Sequence, residues 1–314
     1  MAEIEIMQIV IALVQGILLV LLAPLVSGIA RRFRAKMHTR RGPSVFQDYY
    51  DLAKLLKRQD VHSNHSSNVS KITPPLFMGA MIVLAMGMPM ATRFCPIPFL
   101  GDAILIIYLM ALPRFFFSLM GIDSGSSYAG TGGVRELLVG TLVEPSLMLA
   151  LFVAALSCGT TNIGEMGQMV GAGQIQSPLA FVIAGIAFAA ACYIEMGKLP
   201  YDFAEAEQEL QEGPLSELSG PSLAMMHLAL PMKQAIVASL FIAIFIPFGS
   251  SVDLSFAGTA IGTLVYLGKM AVILLITMVI ENVVCRVRWK LTGRQTWFVV
   301  VIAVCAFAFC VLGI

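Results

Sequence analysis

Residues 6–41 read IMQIVIALVQGILLVLLAPLVSGIARRFRAKMHTRR. From Ile6 to Ala30 no residue is charged, and Arg31, Arg32, Arg34, Lys36, Arg40 and Arg41 follow at once. A helix that crosses a bilayer needs about 20 apolar residues, and this run supplies them. Bases gather on the cytoplasmic flank of a span, so the same stretch sets an orientation with the N-terminus outside. A cleavable signal has a shorter apolar core; the length of this run and the bases behind it mark a retained span.

The rest of the chain repeats the pattern. Of 314 residues, 58% are hydrophobic and 12% charged, and the mean hydropathy is +0.85. Soluble domains carry about 25% charged residues, so this chain cannot cover a soluble surface. Disordered, collagen-like and disulfide-stapled classes are excluded by the same composition. Apolar runs occur at about Ile6–Ala30, Pro75–Ala91, Ala103–Ile122, Leu137–Ser157, Leu179–Leu199, Met232–Phe248, Phe256–Ile280 and Trp297–Leu312. The expectation is an all-α integral membrane protein, one polytopic domain over 1–314, with eight transmembrane helices and amphipathic helices in its cytoplasmic loops. Those loops fall at about 31–73, 123–136, 200–231 and 281–296. Ten bases lie in the first of them and four in the last, while Arg93 is the one base in the loops of the opposite face. Both termini therefore face the outside of a cytoplasmic (inner) membrane. The net charge of +1 gives no field for nucleic acid.

The cysteines, Cys95, Cys158, Cys192, Cys285, Cys305 and Cys310, form no C-x-x-C pair. Iron–sulfur and zinc sites need several thiolates or imidazoles at short spacing, so a redox centre is expected in a partner and none in this chain. His62-Ser63-Asn64-His65 has two imidazoles without further ligands and reads as a solvated loop.

Charge is concentrated in two loops. In the first, Gln47–Arg58 reads as an amphipathic helix: Leu52, Leu55 and Leu56 recur at helical spacing, and Asp51 precedes Lys54. It suits either anionic lipid or a soluble partner, with Arg40, Arg41, Gln47, Asp51, Lys54 and Glu217 as the docking candidates. The fifth loop holds Asp202, Glu205, Glu207, Glu209, Glu212 and Glu217 with no base between them. Pro200 can open a helix there and Gly213-Pro214 can close it. On that helix Glu205, Glu209 and Glu212 would share a face, spaced i, i+4 and i+7. Crowded carboxylates raise one another's pKa, which suits proton uptake.

Ionisable residues at membrane depth are functional candidates by default. Arg114 sits mid-way along the third run, Glu144 precedes Pro145 in the fourth, Glu195 ends the fifth, and Lys269 and Glu281 lie on the seventh. Three glutamates on different spans could line one hydrated path from the acidic loop; an Arg114–Glu144 ion pair of purely structural use is the alternative.

Glu195-Met196-Gly197-Lys198-Leu199-Pro200-Tyr201-Asp202, running into Ala204-Glu205-Ala206-Glu207-Gln208-Glu209-Leu210, resembles a signature of the membrane subunit at the heel of respiratory complex I. That quinone-receiving family includes relatives in membrane-bound nickel–iron hydrogenases. Arg41-Gly42-Pro43 with Gln47, Asp51, Lys54, Leu55 and Leu56, and the pairs Glu144-Pro145 and Glu281-Asn282, match the same family. Quinone-reducing members typically have Asn-Arg where this chain has Gly197-Lys198, and an aromatic residue after the loop glycine where it has Gly213-Pro214. The segment Gln208–Glu217 is similar to the formate hydrogenlyase and hydrogenase-4 type, in which electrons end on protons and no quinone is required. The resemblance implies a non-catalytic anchor and coupling subunit. Its partners would be the hydrogenase large and small subunits, an iron–sulfur protein and an antiporter-like membrane subunit. The nickel–iron centre and iron–sulfur clusters would reside in those partners. The alternatives are a quinone-binding subunit of a complex I-like enzyme, a passive anchor, and an independent transporter.

Overall fold

The computed structural model describes residues 6–63, 66–252 and 256–313; Asn64 and His65 lie outside them. Its helices are α1 (Ile6–Met37), α2 (Gln47–Leu56), α3 (Val69–Gly87), α4 (Ala103–Asp123), α5 (Ser127–Cys158), α6 (Ile163–Gly171), α7 (Pro178–Glu195), α8 (Glu207–Leu210), α9 (Gly220–Phe245), α10 (Phe256–Val283) and α11 (Thr292–Val311). Among the described residues, β pairing is confined to two isolated bridges, Thr92–Ser251 and Asp102–Asn162. Eight helices are long and apolar enough to cross a membrane, and they match the eight apolar runs in order. This is a multi-pass membrane protein.

Two helices begin well before the apolar runs that announce them, and both shifts matter for the site. α5 starts at Ser127 and carries Arg135 and Glu136; α9 starts at Gly220 and passes straight through Pro231. Hydropathy stops at the first charge or proline, but a helix need not. Pro221 occupies the first turn of α9, where no backbone N–H is required, and α9 tolerates Pro231 inside a well-packed bundle.

The centre of the bundle is made of small side chains. Ala180, Ala184, Ala187 and Ala191 of α7 are fully buried where α7 meets α5 and α11. Facing them are Ala150 and Ala154 of α5 and Ala303 and Ala306 of α11, all fully buried as well. Lipid tails are as apolar as leucine, so close backbone approach through small residues is what holds such helices together. α1, α10 and α11 are the outer helices and expose Leu13, Ile17, Leu21, Leu264, Val272, Phe298 and Val301, as a lipid-facing surface requires.

One end of the bundle gathers the bases, α2 and the acidic segment 196–219. The expected helix between Pro200 and Gly213 does not form there: only Glu207–Leu210 are helical. Phe203, Ala204, Ala206, Leu210, Gly213, Pro214 and Leu215 are buried instead, a pattern without helical period. Gly213, at φ +55°, brings its backbone so close to Ala204 that an added Cβ would stand 2.1 Å from the Ala204 carbonyl oxygen. Gly132 of α5 lies against both. Tertiary burial of these apolar residues thus prevails over a helix already weakened by unrelieved like charges. Glu205, Glu209 and Glu212 accordingly share no helix face.

Candidate functional site

Behind the acidic segment, four helices deliver charge to one buried point. α4 provides Arg114, α5 provides Glu136 and Glu144, α7 ends on Glu195, and α9 provides Lys233. Arg114 donates from Nη1 to Glu144 at 2.9 Å and from Nε to Glu136 at 3.3 Å, and its Nη2 meets Glu195. Gly140 makes room for it: a Cβ there would stand 2.7 Å from Arg114 Cδ. Lys233 Nζ lies 3.0 Å from Glu195 and 3.8 Å from Glu136. Arg114, Glu195 and Lys233 are 4%, 4% and 7% exposed, so desolvation is nearly complete and only mutual pairing makes it tolerable. Two cations face three carboxylates, a net charge of −1.

The Arg114–Glu144 pair is the one the sequence suggests. Lys233 and Glu136 are the members it misses. Glu136 ends the stretch read as the 123–136 loop, whereas Lys233 is the second residue of the run that begins at Met232 and reads only as a flank of the acidic loop. A lysine one residue inside an apolar run was the available signal.

A second set of charges lies at the basic end. Glu281, at the end of α10, is buried and receives Lys198 Nζ at 3.2 Å and Arg34 at 3.4 Å. Arg286 pairs with Asp202 at 2.9 Å, and Arg31 with Asp48 at 2.5 Å. These residues rim a chamber of about 840 Å³ enclosed by α1, α2, α9, α10 and the segment 197–215. Apolar side chains share its lining, among them Pro24, Leu52, Leu55, Leu223, Leu230, Leu274 and Met278. The three membrane glutamates therefore do not form one contact chain: Glu144 and Glu195 meet through Arg114, whereas Glu281 belongs to the chamber.

Glu205 joins the two regions. It lines the chamber and also a smaller cavity of about 40 Å³, which it shares with Asp202, Glu136 and Lys233. A water needs about 10–15 Å³ of such space, so the smaller cavity has room for two or three. Burial pushes the Glu205 carboxyl up to about 8; Asp202, Glu136 and Glu212 reinforce this and Lys233 opposes it. This shift favours the protonated form of Glu205 towards neutral pH.

The remaining candidates are dispersed. Glu209 is exposed and pairs with Arg135 at 2.8 Å, whose guanidinium lies 5.6 Å from the Trp289 ring centroid. Glu212 lines the chamber. Glu217 closes a short turn, half-buried. The Glu207 side chain lies outside the described residues. Lys269 donates to the Ile246 carbonyl at 2.6 Å, at the far end of α9, and joins neither cluster. Arg40, Arg41 and Lys54 are exposed, and Gln47 donates to Asp51 at 3.0 Å within α2. Leu52 and Leu55 turn towards the bundle, while Phe46, Tyr50 and Leu56 are 58%, 66% and 61% exposed. Among the described residues no three His, Cys, Asp or Glu side chains converge as metal ligands.

A charged signature at the head of an acidic loop, an ion cluster between four spans and a chamber at the basic end occur together in a chain whose residues 8–312 match one family model, described as NADH dehydrogenase. The chain belongs to the NADH dehydrogenase family. Within this family it is 45% identical over 306 residues to hydrogenase-4 component C of Escherichia coli strain K12, covering 98% of this chain and 97% of that one. It is 42% identical over 291 residues to formate hydrogenlyase subunit 4 of the same organism, covering 93% and 95%. An NADH-quinone oxidoreductase subunit of Salinibacter ruber is 25% identical over 232 residues, covering 68% and 65%. A chain of the membrane-bound sulfane sulfur reductase, an archaeal respiratory membrane complex, superposes with a TM-score of 0.85 at 24% identity, covering 95% of this chain and 98% of that chain; the fold is shared. Members of this family are thus subunits of multisubunit hydrogenase and respiratory membrane complexes.

Proposed function

We propose that this chain is the membrane anchor and coupling subunit of a nickel–iron hydrogenase of the hydrogenase-4 and formate hydrogenlyase type. In this reading the basic end faces the cytoplasm of an inner membrane, with both termini on the outer side. Arg40, Arg41, Gln47, Asp51, Lys54 and Glu217 surround the surface on which the hydrogenase large and small subunits and an iron–sulfur protein dock. The nickel–iron centre and the clusters belong to those partners. The high identity to two hydrogenase components supports this branch over the quinone-reducing one.

The observation that carries the coupling role is Glu205, which lines both the chamber under the docking surface and the small cavity leading to Lys233 and Glu136. A charge change at the docked arm alters the field at the chamber. Glu205, holding a proton near neutral pH, can pass it through cavity water towards the Glu136 and Glu195 carboxylates. Arg114, which stays protonated, couples this pair electrostatically to Glu144, whose side chain is one-third exposed on α5, facing an antiporter-like neighbour. Asp202, Glu207, Glu209, Glu212 and Glu281 set the field around the entrance; Lys269 lies outside this route. The test is hydrogen evolution with simultaneous ion-translocation measurement in membranes carrying Glu205→Gln. Loss of translocation with the complex still assembled supports coupling; unchanged translocation reduces the chain to a passive anchor.

A second reading rests on the size of the chamber. About 840 Å³ with a partly apolar lining is within the range for an organic ligand, so a quinone-reactive complex would use the same space. Quinone-dependent, inhibitor-sensitive oxidation by the isolated complex would favour it over the hydrogenase reading.

A further inference from the structure

We propose that Lys233 is the positioning residue of this relay: it keeps Glu136 and Glu195 ionised together, and so leaves the mobile proton on the Glu205 side of the small cavity. The proposal rests on the coupling reading above. Lys233 lies 13 residues beyond the start of α9, about 20 Å along the helix axis, and its ammonium does not turn out to solvent. It is 7% exposed and reaches inward instead, to Glu195 at 3.0 Å and Glu136 at 3.8 Å.

Every element around it contributes to the charge balance. α4 brings Arg114, already shared among three carboxylates. α5 brings Glu136 and Glu144, and α7 brings Glu195. The loop at 202–205 brings Asp202 and Glu205 into the same cavity, while α3 adds only the apolar Phe77. With Lys233 the five-membered cluster carries −1; without it, one guanidinium would face three carboxylates at −2. Crowded carboxylates in a desolvated site relieve that excess by protonation. Lys233 therefore decides whether the inner carboxylates act as proton acceptors or are already filled. Its removal also takes away the charge that opposes the upward pressure on Glu205.

The experiment uses the assembled complex in membranes, with Lys233→Met and Lys233→Arg. Infrared difference spectra in the carboxylic-acid C=O region and the pH profile of ion translocation are the readouts. Lys233→Met should gain a protonated carboxyl at neutral pH that vanishes when Glu195→Gln or Glu136→Gln is added. Its alkaline limb should move up by about one to three pH units, the range for losing an opposite charge within a few ångströms. Lys233→Arg should retain both properties of the parent. If Lys233→Met does not assemble, Lys233→Met with Glu195→Gln restores the −1 balance and should assemble without the additional protonated carboxyl in the infrared spectrum. A Lys233→Met complex that titrates like the parent overturns the proposal, as does a double variant that fails to assemble or keeps the additional carboxyl band. Failure of Glu205→Gln to affect translocation would refute the coupling reading, whereas the infrared signature of Lys233→Met tests the assignment by itself.

Discussion

Replacing Glu205 with Gln gives the sharpest quantitative expectation. Glu205 is held near 8 in the folded chain against about 4.5 when solvated. At pH 7 roughly nine-tenths of folded molecules carry its proton, while the unfolded chain has lost it. A raised carboxyl stabilises the fold fully only below its unfolded value, and that contribution disappears as pH rises from 4.5 through 8. In the middle of the window the folded state binds one more proton than the unfolded state. Stability should then fall by about 1.4 kcal/mol per pH unit from this group alone, or roughly 2 kcal/mol between pH 5.5 and 7. Gln mimics the neutral acid at every pH, so the difference in stability between parent and Glu205→Gln isolates this contribution from all other titrations. The buried, free cysteines Cys95, Cys158 and Cys192 make a thiol-reactive dye a suitable reporter of unfolding for the full chain in detergent. Thermal melts across pH 5–9 should show the variant gaining on the parent as pH rises, with the difference levelling off above 8. A pH-independent difference, or one of opposite sign, would refute the placement of Glu205 in a desolvated, carboxylate-rich cavity.

Arg114→Met leaves Glu144 without its guanidinium and Glu195 with Lys233 alone; it should cost about 3–5 kcal/mol in thermal or denaturant melts, and adding Glu195→Gln should recover part of the loss. Gly213→Ala forces a side chain into a positive-φ position 2.1 Å from the Ala204 oxygen; limited proteolysis should show the 204–213 segment released from α5, at a cost of about 1–3 kcal/mol. In maleimide labelling at pH 8, exposed Cys285 should react promptly, whereas Cys95, buried and with its thiol pushed up to about 12, should react only after unfolding.

The eight spans were legible because each apolar run must satisfy bilayer thickness by itself. That requirement is local and needs no neighbour. The amphipathic α2 was legible for a related reason, since Leu52 and Leu55 announce a helix with one sheltered face. The Arg114–Glu144 pair could be suspected because an isolated charge at membrane depth demands a partner. The acidic segment misled because helical periodicity among Glu205, Glu209 and Glu212 carries no information about where Ala204 and Gly213 are buried. Glu136 was hidden by a loop boundary drawn at a charge, and Lys233, just inside its apolar run, gave no sign of the helices it would meet. The sequence by itself therefore determined that this chain lives in a membrane, how many times it can cross, and to which family its charged motifs are akin. Only the tertiary structure decided which charges meet, because desolvation inside the bundle makes an ionised side chain depend on partners from other helices. It separated Glu281 and Lys269 from the inner cluster, and it placed Glu205 between the chamber and Lys233.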